Sequence, residues 1–462
     1  MNEPVRQDVR ARARLHFRPF SPVRRALDRI IGGIASLAAR GYFRSVEVRG
    51  EQRIPHGRPV LIVANHFNGL VDPVVIARVL HRVPRFLAKS TLWKVLPARP
   101  FLALAGVIPI YRAQDVPDTS KNHSSFAACH RALARHGTVA IFPEGTTHDS
   151  PALAPVRTGA ARIALGALAQ GTEGIVIVPI GLTFDDKLAL RSRVLARVGR
   201  PIDLDEDLAD YVHADEELSE ENHQAVDRLT VAIRRRLQDV SPDYRSVQEH
   251  GTLSLGADVV LRRTGTGRES QVKLGAREEL AQRLAAVPEA RRDRVTAAIA
   301  DYNLGLTLLG VRDGEVAAGY RPRALLTQLV VNGLVVAVLS VFAFTGVLVN
   351  FIPYLLVKVS GQSVRAPVTK GTVRLLVALV CFPLAWWIVA MFSADGAWAV
   401  TLAFLFQAVC AFSAVYALEA LIRFGRQFTG WWTLLERRGV VEDVRDRREQ
   451  VVRLIEDTAV VG

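Results

Sequence analysis

Short apolar runs alternate with helical stretches from residue 59 to residue 202. Residues 44–49 alternate as an edge strand does. Strands separated by helices are typical of α/β folds. We therefore predict an α/β domain over residues 44–205, with a mixed sheet flanked by helices. The runs that have the length and composition of buried strands are PVLIVAN (59–65), RFLAK (85–89), VIPIY (107–111), TVAIFPE (138–144) and GIVIVPIGLTF (174–184).

The C-terminal part carries three long runs that are almost free of charge, at residues 325–357, 373–392 and 397–421. Each reaches the length needed to cross a bilayer, so we predict a helical membrane region over 325–426. The linker 358–374 has basic but no acidic residues, which places it in the cytoplasm by the positive-inside rule.

Both ends of the run 325–357 then lie on the same side of the membrane. This predicts a hairpin that bends near Phe344-Thr345-Gly346. Because the run is short for two crossings, it either spans twice or is re-entrant. SADG (393–396) is predicted to be the external turn between the other two spans.

Three regions flank the α/β domain and the membrane region, and the one from about 203 to 320 contains no catalytic pattern. Residues 1–43 include Ile, Leu and Ala at helical spacing among arginines, which fits a helix in the membrane interface or one packed on the domain. Residues 206–324 are predicted to be a charged helical connector. Residues 427–462 are predicted to be a charged cytoplasmic tail.

Charge changes this picture little. The net charge of +14 favours either nucleic acid or an anionic membrane surface as a partner. The three apolar runs decide for the lipid bilayer, so we predict an integral membrane protein that binds no nucleic acid. Three scattered cysteines form neither a disulfide framework nor a zinc pattern.

The stretch VANHFNGLVDP (63–73) carries the most specific chemistry. His66 follows a strand, and Asp72 is the only acidic residue between Glu51 and Asp115. A neutral imidazole could deprotonate a hydroxyl while a carboxylate holds its other nitrogen. Asp72 is also predicted to cap a helix that has Pro73 at its first position.

Cationic residues follow other strands. Arg112 offers a fork suited to phosphate, and Lys89 could meet a phosphate or the donor. Arg157 precedes Gly159, which opens an Ala-rich helix whose N-terminus attracts anions. No Gly-x-Ser-x-Gly elbow and no polar-loop cysteine accompany these strands, which favours direct attack by a substrate hydroxyl. The scheme needs no metal.

Four blocks stand in order along this chain, and each ends a predicted strand. They are Asn65-His66 with Asp72, Gly106 to Arg112, Phe142 to His148, and Val178-Pro179-Ile180. These blocks resemble those of the glycerolipid acyltransferases, which include the glycerol-3-phosphate, lysophosphatidate and related lysophospholipid acyltransferases. The resemblance covers about residues 40–205. It implies an α/β acyltransferase domain on the membrane, with acyl-CoA or acyl carrier protein as the thioester donor and no other cofactor.

The resemblance also implies residue roles. It gives His66 the role of general base and Asp72 that of its partner, and it assigns Arg112, Glu144 and Gly145 to the phosphate end of the acceptor. The Asp72-Pro73 pair, the string FPEGTTHD (142–149) and the membrane runs after the domain resemble the fungal-type glycerol-3-phosphate/dihydroxyacetone-phosphate branch.

The expected function is transfer of a fatty acyl group to glycerol 3-phosphate or a related glycerol phosphate in phospholipid biosynthesis. The catalytic domain is expected on the cytoplasmic face of the cell membrane. Two alternatives stay open. The acceptor could be lysophosphatidate or another lysophospholipid, or the chain could be a non-catalytic membrane scaffold.

Overall fold

The computed structural model describes residues 21–94, 99–112, 121–187, 189–263, 272–318, 322–362, 364 and 367–458. These residues form two compact units. The first holds the described residues up to Asp243 together with 367–372, and the second holds the others. The first unit therefore continues beyond the predicted domain end at residue 205.

A mixed sheet organises the first unit, as the sequence predicts. Its order is β1-β7-β6-β2-β5-β3-β4, with β8 also paired to β6. From β6 to β4 the strands run parallel, whereas β7 and β8 are antiparallel to β6. All predicted strands are present, and β7 and β8 were not predicted. The strands are β1 (Phe43–Arg49), β2 (Val60–Ala64), β3 (Arg85–Lys89), β4 (Ile108–Ile110), β5 (Thr138–Ile141), β6 (Val176–Phe184), β7 (Ser192–Val198) and β8 (Ile202–Asp203).

The register of the parallel strands determines where the functional loops lie. Val63 of β2 pairs with Ile141 of β5, and Lys89 of β3 pairs with Ile110 of β4. The carboxyl ends of these strands and of β6 therefore meet at one edge of the sheet. Ligands of parallel α/β sheets bind outside this edge.

Among the residues that the structure describes, six helices accompany the sheet, with short 3₁₀ turns at Glu51–Arg53, Ser90–Lys94 and Leu208–Asp210. The helix His223–Gln238 belongs to the core of this unit, because Leu229 and Ile233 are buried in the same cluster as Leu61 and Ile177. This packing is why the unit extends to Asp243. The helices are α1 (Pro22–Tyr42), α2 (Val71–Leu80), α3 (Arg99–Ala105), α4 (Asn122–Ala134), α5 (Gly159–Ala169) and α6 (His223–Gln238).

The predicted N-terminal helix is α1. At the C-terminal end of this helix, Ala39 and Tyr42 are buried. Residues before Ser21 lie outside the described part of the chain. An interfacial position for α1 stays a prediction, and it is compatible with the large apolar side chains that α1 exposes, namely Val23, Ile30, Ile34 and Leu37.

A helical bundle forms part of the second unit. The predicted charged tail is not a tail, because valines of its last helix, among them Val444 and Val451, are buried in the core of the bundle. The predicted connector supplies the other members. The bundle helices are α7 (Val247–Arg263), α8 (Leu274–Ala285), α9 (Glu289–Leu309), α10 (Asp313–Ala318) and α14 (Arg438–Glu456).

The described part of the second unit also contains three long helices, the second of which begins in the first unit: α11 (Pro322–Gln362), α12 (Pro367–Ser393) and α13 (Ala397–Glu436). The segments Val330–Gln362, Lys370–Ser393 and Ala397–Glu436 are long and apolar enough to cross a membrane. The turn predicted at 393–396 separates α12 from α13.

The hairpin predicted for residues 325–357 is wrong, because α11 is continuous through Gly346. A Cβ atom on Gly346 would lie 2.0 Å from the carbonyl oxygen of Cys410 in α13. Small residues let helices approach closely, so this glycine serves packing rather than a bend.

We expect Ile233→Ala to destabilise the first unit by about 2–5 kcal/mol, because it removes buried methyl groups and leaves a cavity. The measurement is the denaturant dependence of hydrogen exchange in β2 and β6 of the full-length protein. Val231→Ala on the same helix is the control, because Val231 is 48% exposed and its loss should change the free energy of unfolding by less than about 0.5 kcal/mol. Equal effects of the two variants would contradict the assignment of α6 to the core.

Candidate active site

Asn65 fixes the point at which β2 ends. Its buried side-chain amide donates to the carbonyl oxygen of Leu182 at 3.0 Å and accepts from the Leu182 N–H at 2.6 Å. This pair continues the β2–β6 ladder through a side chain. The chain therefore leaves the sheet at a fixed place, and His66 is the first residue beyond it.

His66 and Asp72 are in contact, as the sequence predicts. His66 Nδ1 lies 2.9 Å from Asp72 Oδ2, so the loop of five intervening residues does bring the two side chains together. The imidazole stacks on the Phe142 ring with centroids 4.0 Å apart. The His66 side chain is 16% exposed. With Nδ1 engaged by Asp72, Nε2 is the ring nitrogen that can exchange a proton with a substrate.

The Asp72 carboxyl is enclosed by protein. Burial raises its pKa, while the hydrogen bond from His66 and the backbone N–H groups of Asn68 and Phe67 act in the opposite direction. The Asn68 N–H donates to Asp72 Oδ2 at 2.7 Å. A buried carboxylate with these donors is suited to hold an imidazole in one orientation and to stabilise its protonated form.

The prediction that Asp72 caps its helix is wrong. Helix α2 starts at Val71, and its N-cap position is Leu70. Asp72 thus lies inside the first turn, and its Oδ2 accepts from the His66 ring and the Asn68 N–H.

Glu144 is buried, which differs from the surroundings expected of a phosphate-contacting residue. Its Oε1 accepts from the His66 backbone N–H at 2.6 Å. Its Oε2 accepts from the Ala154 N–H at 2.8 Å and pairs with His148. Both oxygens thus have partners within the protein. The carboxylate holds the backbone of the loop that carries His66, and its negative charge would repel a phosphate.

The cations at this edge gather around Gly145. Arg112 donates to the Gly145 carbonyl oxygen. Gly145 has φ +70°, and a Cβ atom there would lie 3.0 Å from Arg157 Nε. A glycine is therefore needed both for the backbone conformation and for the close approach of Arg157. Two guanidinium groups beside one backbone turn form a site suited to a phosphate.

Lys89 occupies the exposed carboxyl end of β3, at the same edge as Arg112. The structure brings it to the end of the sheet at which the loops of His66 and Gly145 emerge. Its role in binding phosphate or donor stays a prediction.

Two further residues near the catalytic loop were not assigned a role from sequence. The ring of Phe67 meets the His148 ring edge-on with centroids 5.3 Å apart. Lys187 Nζ lies 5.9 Å from the centroid of Phe67 and pairs with Asp149. The position of Lys187 just after β6, whose end lies at the same edge, was the available signal.

The residues of this site lie in a part of the chain that matches a known protein family. Residues 45–183 match the sequence model of the Acyltransferase family. The chain is 40% identical over 85 residues to glycerol-3-phosphate O-acyltransferase 2 of Saccharomyces cerevisiae, a match that covers 18% of this chain and 11% of the yeast protein. It is 33% identical over 119 residues to glycerol-3-phosphate O-acyltransferase 1 of the same yeast, a match that covers 25% of this chain and 15% of that protein.

The crystal structure of the 1-acyl-sn-glycerophosphate acyltransferase of Thermotoga maritima is 18% identical, with a TM-score of 0.31, and the match covers 50% of this chain and 90% of that one. The resemblance to the glycerolipid acyltransferases is confirmed by the family match and the two yeast proteins. The chain spans only a small part of the length of each yeast relative.

The His148–Glu144 pair should make stability depend on pH. The hydrogen bond with Glu144 raises the pKa of His148 above its ordinary value. The pair therefore contributes its full stabilisation of the folded state below about pH 6.5, which is the pKa of an unperturbed histidine. This contribution is lost as the pH rises through the raised pKa of His148.

We expect the melting temperature to fall less between about pH 6 and about pH 9 in His148→Gln than in the unmodified protein. The measurement is thermal unfolding at both pH values. His123→Gln, on the exposed side of α4, should keep the unmodified response. An unchanged pH dependence in His148→Gln would refute the charged pair.

Proposed function

We propose that this chain, whose residues 45–183 form an acyltransferase domain, is a membrane-bound enzyme that acylates a hydroxyl of a phosphorylated glycerol. The observation that carries the proposal is the 2.9 Å contact between His66 Nδ1 and Asp72 Oδ2, at the sheet edge where Arg112 and Arg157 meet Gly145. A base and an anion site at one edge are what a phosphorylated alcohol requires.

In the proposed reaction, His66 Nε2 takes the proton of the acceptor hydroxyl as its oxygen attacks the thioester carbonyl. A carbon–oxygen bond forms and the carbon–sulfur bond breaks. The proton passes from the imidazolium to the departing thiolate. Asp72 holds the Nδ1–H and stabilises the imidazolium, while Glu144 fixes the His66 backbone.

The preferred acceptor in this proposal is glycerol 3-phosphate, and the donor is acyl-CoA or an acyl carrier protein. Similarity to two yeast glycerol-3-phosphate O-acyltransferases supports this acceptor. Lysophosphatidate is the second candidate, because Arg112 and Arg157 would bind its phosphate by the same contacts.

The proposal includes a bilayer and an orientation. Helices α11, α12 and α13 would lie in the bilayer, because each has a segment long and apolar enough to cross it. The first unit would lie in the cytoplasm, because the linker 358–374 is basic without acidic residues and its residues 367–372 belong to that unit.

The decisive test is acyl transfer by purified protein in liposomes, with labelled acyl-CoA and glycerol 3-phosphate, dihydroxyacetone phosphate or lysophosphatidate. We expect product from glycerol 3-phosphate. His66→Ala and Asp72→Asn should lower kcat by about 10²–10⁴-fold, because general base catalysis is lost. His123→Ala is the control, since His123 lies exposed on α4.

Product from lysophosphatidate alone would move the enzyme to the second acylation. Activity that survives His66→Ala would defeat the mechanism, and no product with any acceptor would favour a scaffold.

Arg157→Ala should raise KM for the phosphorylated acceptor by about 10–100-fold, because a charge-assisted hydrogen bond is lost. KM for the thioester should stay unchanged, and so should turnover of an acceptor that lacks the phosphate. Arg131→Ala on the exposed side of α4 is the matched control. A rise in KM for the thioester instead would assign Arg157 to the donor.

A further inference from the structure

The first turn of α12 lies against the loop that carries the dyad. The segment 367–372 belongs to the first unit, although the residues that follow it in α12 belong to the second. Within this segment, the Thr372 Oγ1 accepts a hydrogen bond from the Leu70 N–H at 3.0 Å. Leu70 stands between His66 and Asp72, so a residue distant in sequence contacts the catalytic loop.

Two glycines make this contact possible. A Cβ atom on Gly69 would lie 2.5 Å from Thr372 Oγ1. A Cβ atom on Gly371 would lie 3.2 Å from Tyr42 Oη and 3.3 Å from Val71 Cγ2. A side chain at Gly69 would displace Thr372, and one at Gly371 would force its neighbours to shift. The surfaces of the loop and of the α12 turn therefore fit each other on both sides of the hydrogen bond.

The Leu70 N–H needs an acceptor because it lies at the start of α2, where N–H groups have no partner within the helix. The Leu70 side chain supplies no cap. Asp72, the acidic residue of this turn, uses its Oδ2 for the His66 ring and the Asn68 N–H. The Thr372 hydroxyl thus supplies the acceptor that neither residue provides.

We propose that Thr372 is a positioning residue for the proposed acyl transfer, acting by holding the start of α2 so that Asp72 faces His66 Nδ1. The inference rests on the proposed function. Thr372 touches neither member of the dyad directly. Its loss should let the loop move and should lower kcat, while the cations that bind the acceptor keep their positions.

The test compares Thr372→Val, which keeps the shape and removes the hydroxyl, with Thr372→Ser, which restores it. We expect kcat to fall about three- to tenfold in the valine variant with KM unchanged, and to recover in the serine variant. Thr401→Val in α13 is the matched control, because its hydroxyl bonds only within its own helix, to the Ala397 carbonyl oxygen.

Hydrogen exchange of the peptide spanning residues 66–76 in nanodiscs gives a readout that needs no activity. We expect faster exchange in Thr372→Val and unchanged exchange in Thr401→Val. In a double-mutant cycle, Gly69→Ala and Thr372→Ala should cost less together than the sum of their single effects, because each disrupts the same contact.

Unchanged exchange in Thr372→Val would overturn the inference. Faster exchange with an unchanged kcat would also overturn it, since the contact would then be structural only. An inactive unmodified protein would refute the proposed function itself, whereas an active one with a fully active valine variant would refute only the role of Thr372.

Discussion

Two carboxylates without access to solvent set the arrangement of the candidate active site. Asp72 and Glu144 are both buried, and a buried carboxylate must receive donors from the protein. Both carboxylates receive donors from the same short loop. Asp72 accepts hydrogen bonds from the His66 ring and the Asn68 N–H, and Glu144 accepts one from the His66 N–H. The loop is held from two elements at once, so the imidazole is oriented before a substrate arrives. Preorganisation of this kind lowers the cost of reaching the transition state.

The sequence predicted those parts of the fold and site that depend on local patterns. Short apolar runs bounded by polar residues predicted the strands from β2 to β6, because burial on both faces selects such runs. The dyad followed from the isolation of Asp72, the only local carboxylate available to His66. Arg112 and Lys89 followed from their positions at the ends of strands, because parallel strands bring those positions to one edge. Arg157 followed from its position before the helix that Gly159 opens.

The parts that were missed depend on contacts between distant segments. Strand β7 (Ser192–Val198) has arginines among its apolar residues, so the sequence pattern did not predict a strand there. The amphipathic pattern of α6 does not indicate which elements pack against its apolar face. Gly346 looks like a bend in sequence, yet it lies against the backbone of Cys410. For Glu144, only the structure shows that its partners are His66, His148 and Ala154.

The hydrogen bond from the Leu70 N–H to the Thr372 hydroxyl has a consequence for biosynthesis. Thr372 follows Leu70 by 302 residues. At about 5–20 residues per second, a ribosome needs roughly fifteen seconds to a minute to reach it. During that interval the catalytic loop emerges and folds without its hydroxyl acceptor, and the whole of α11 is made. The loop is therefore completed by a late part of the nascent chain, and a fragment that ends before α12 would lack this contact however well its own sheet folds.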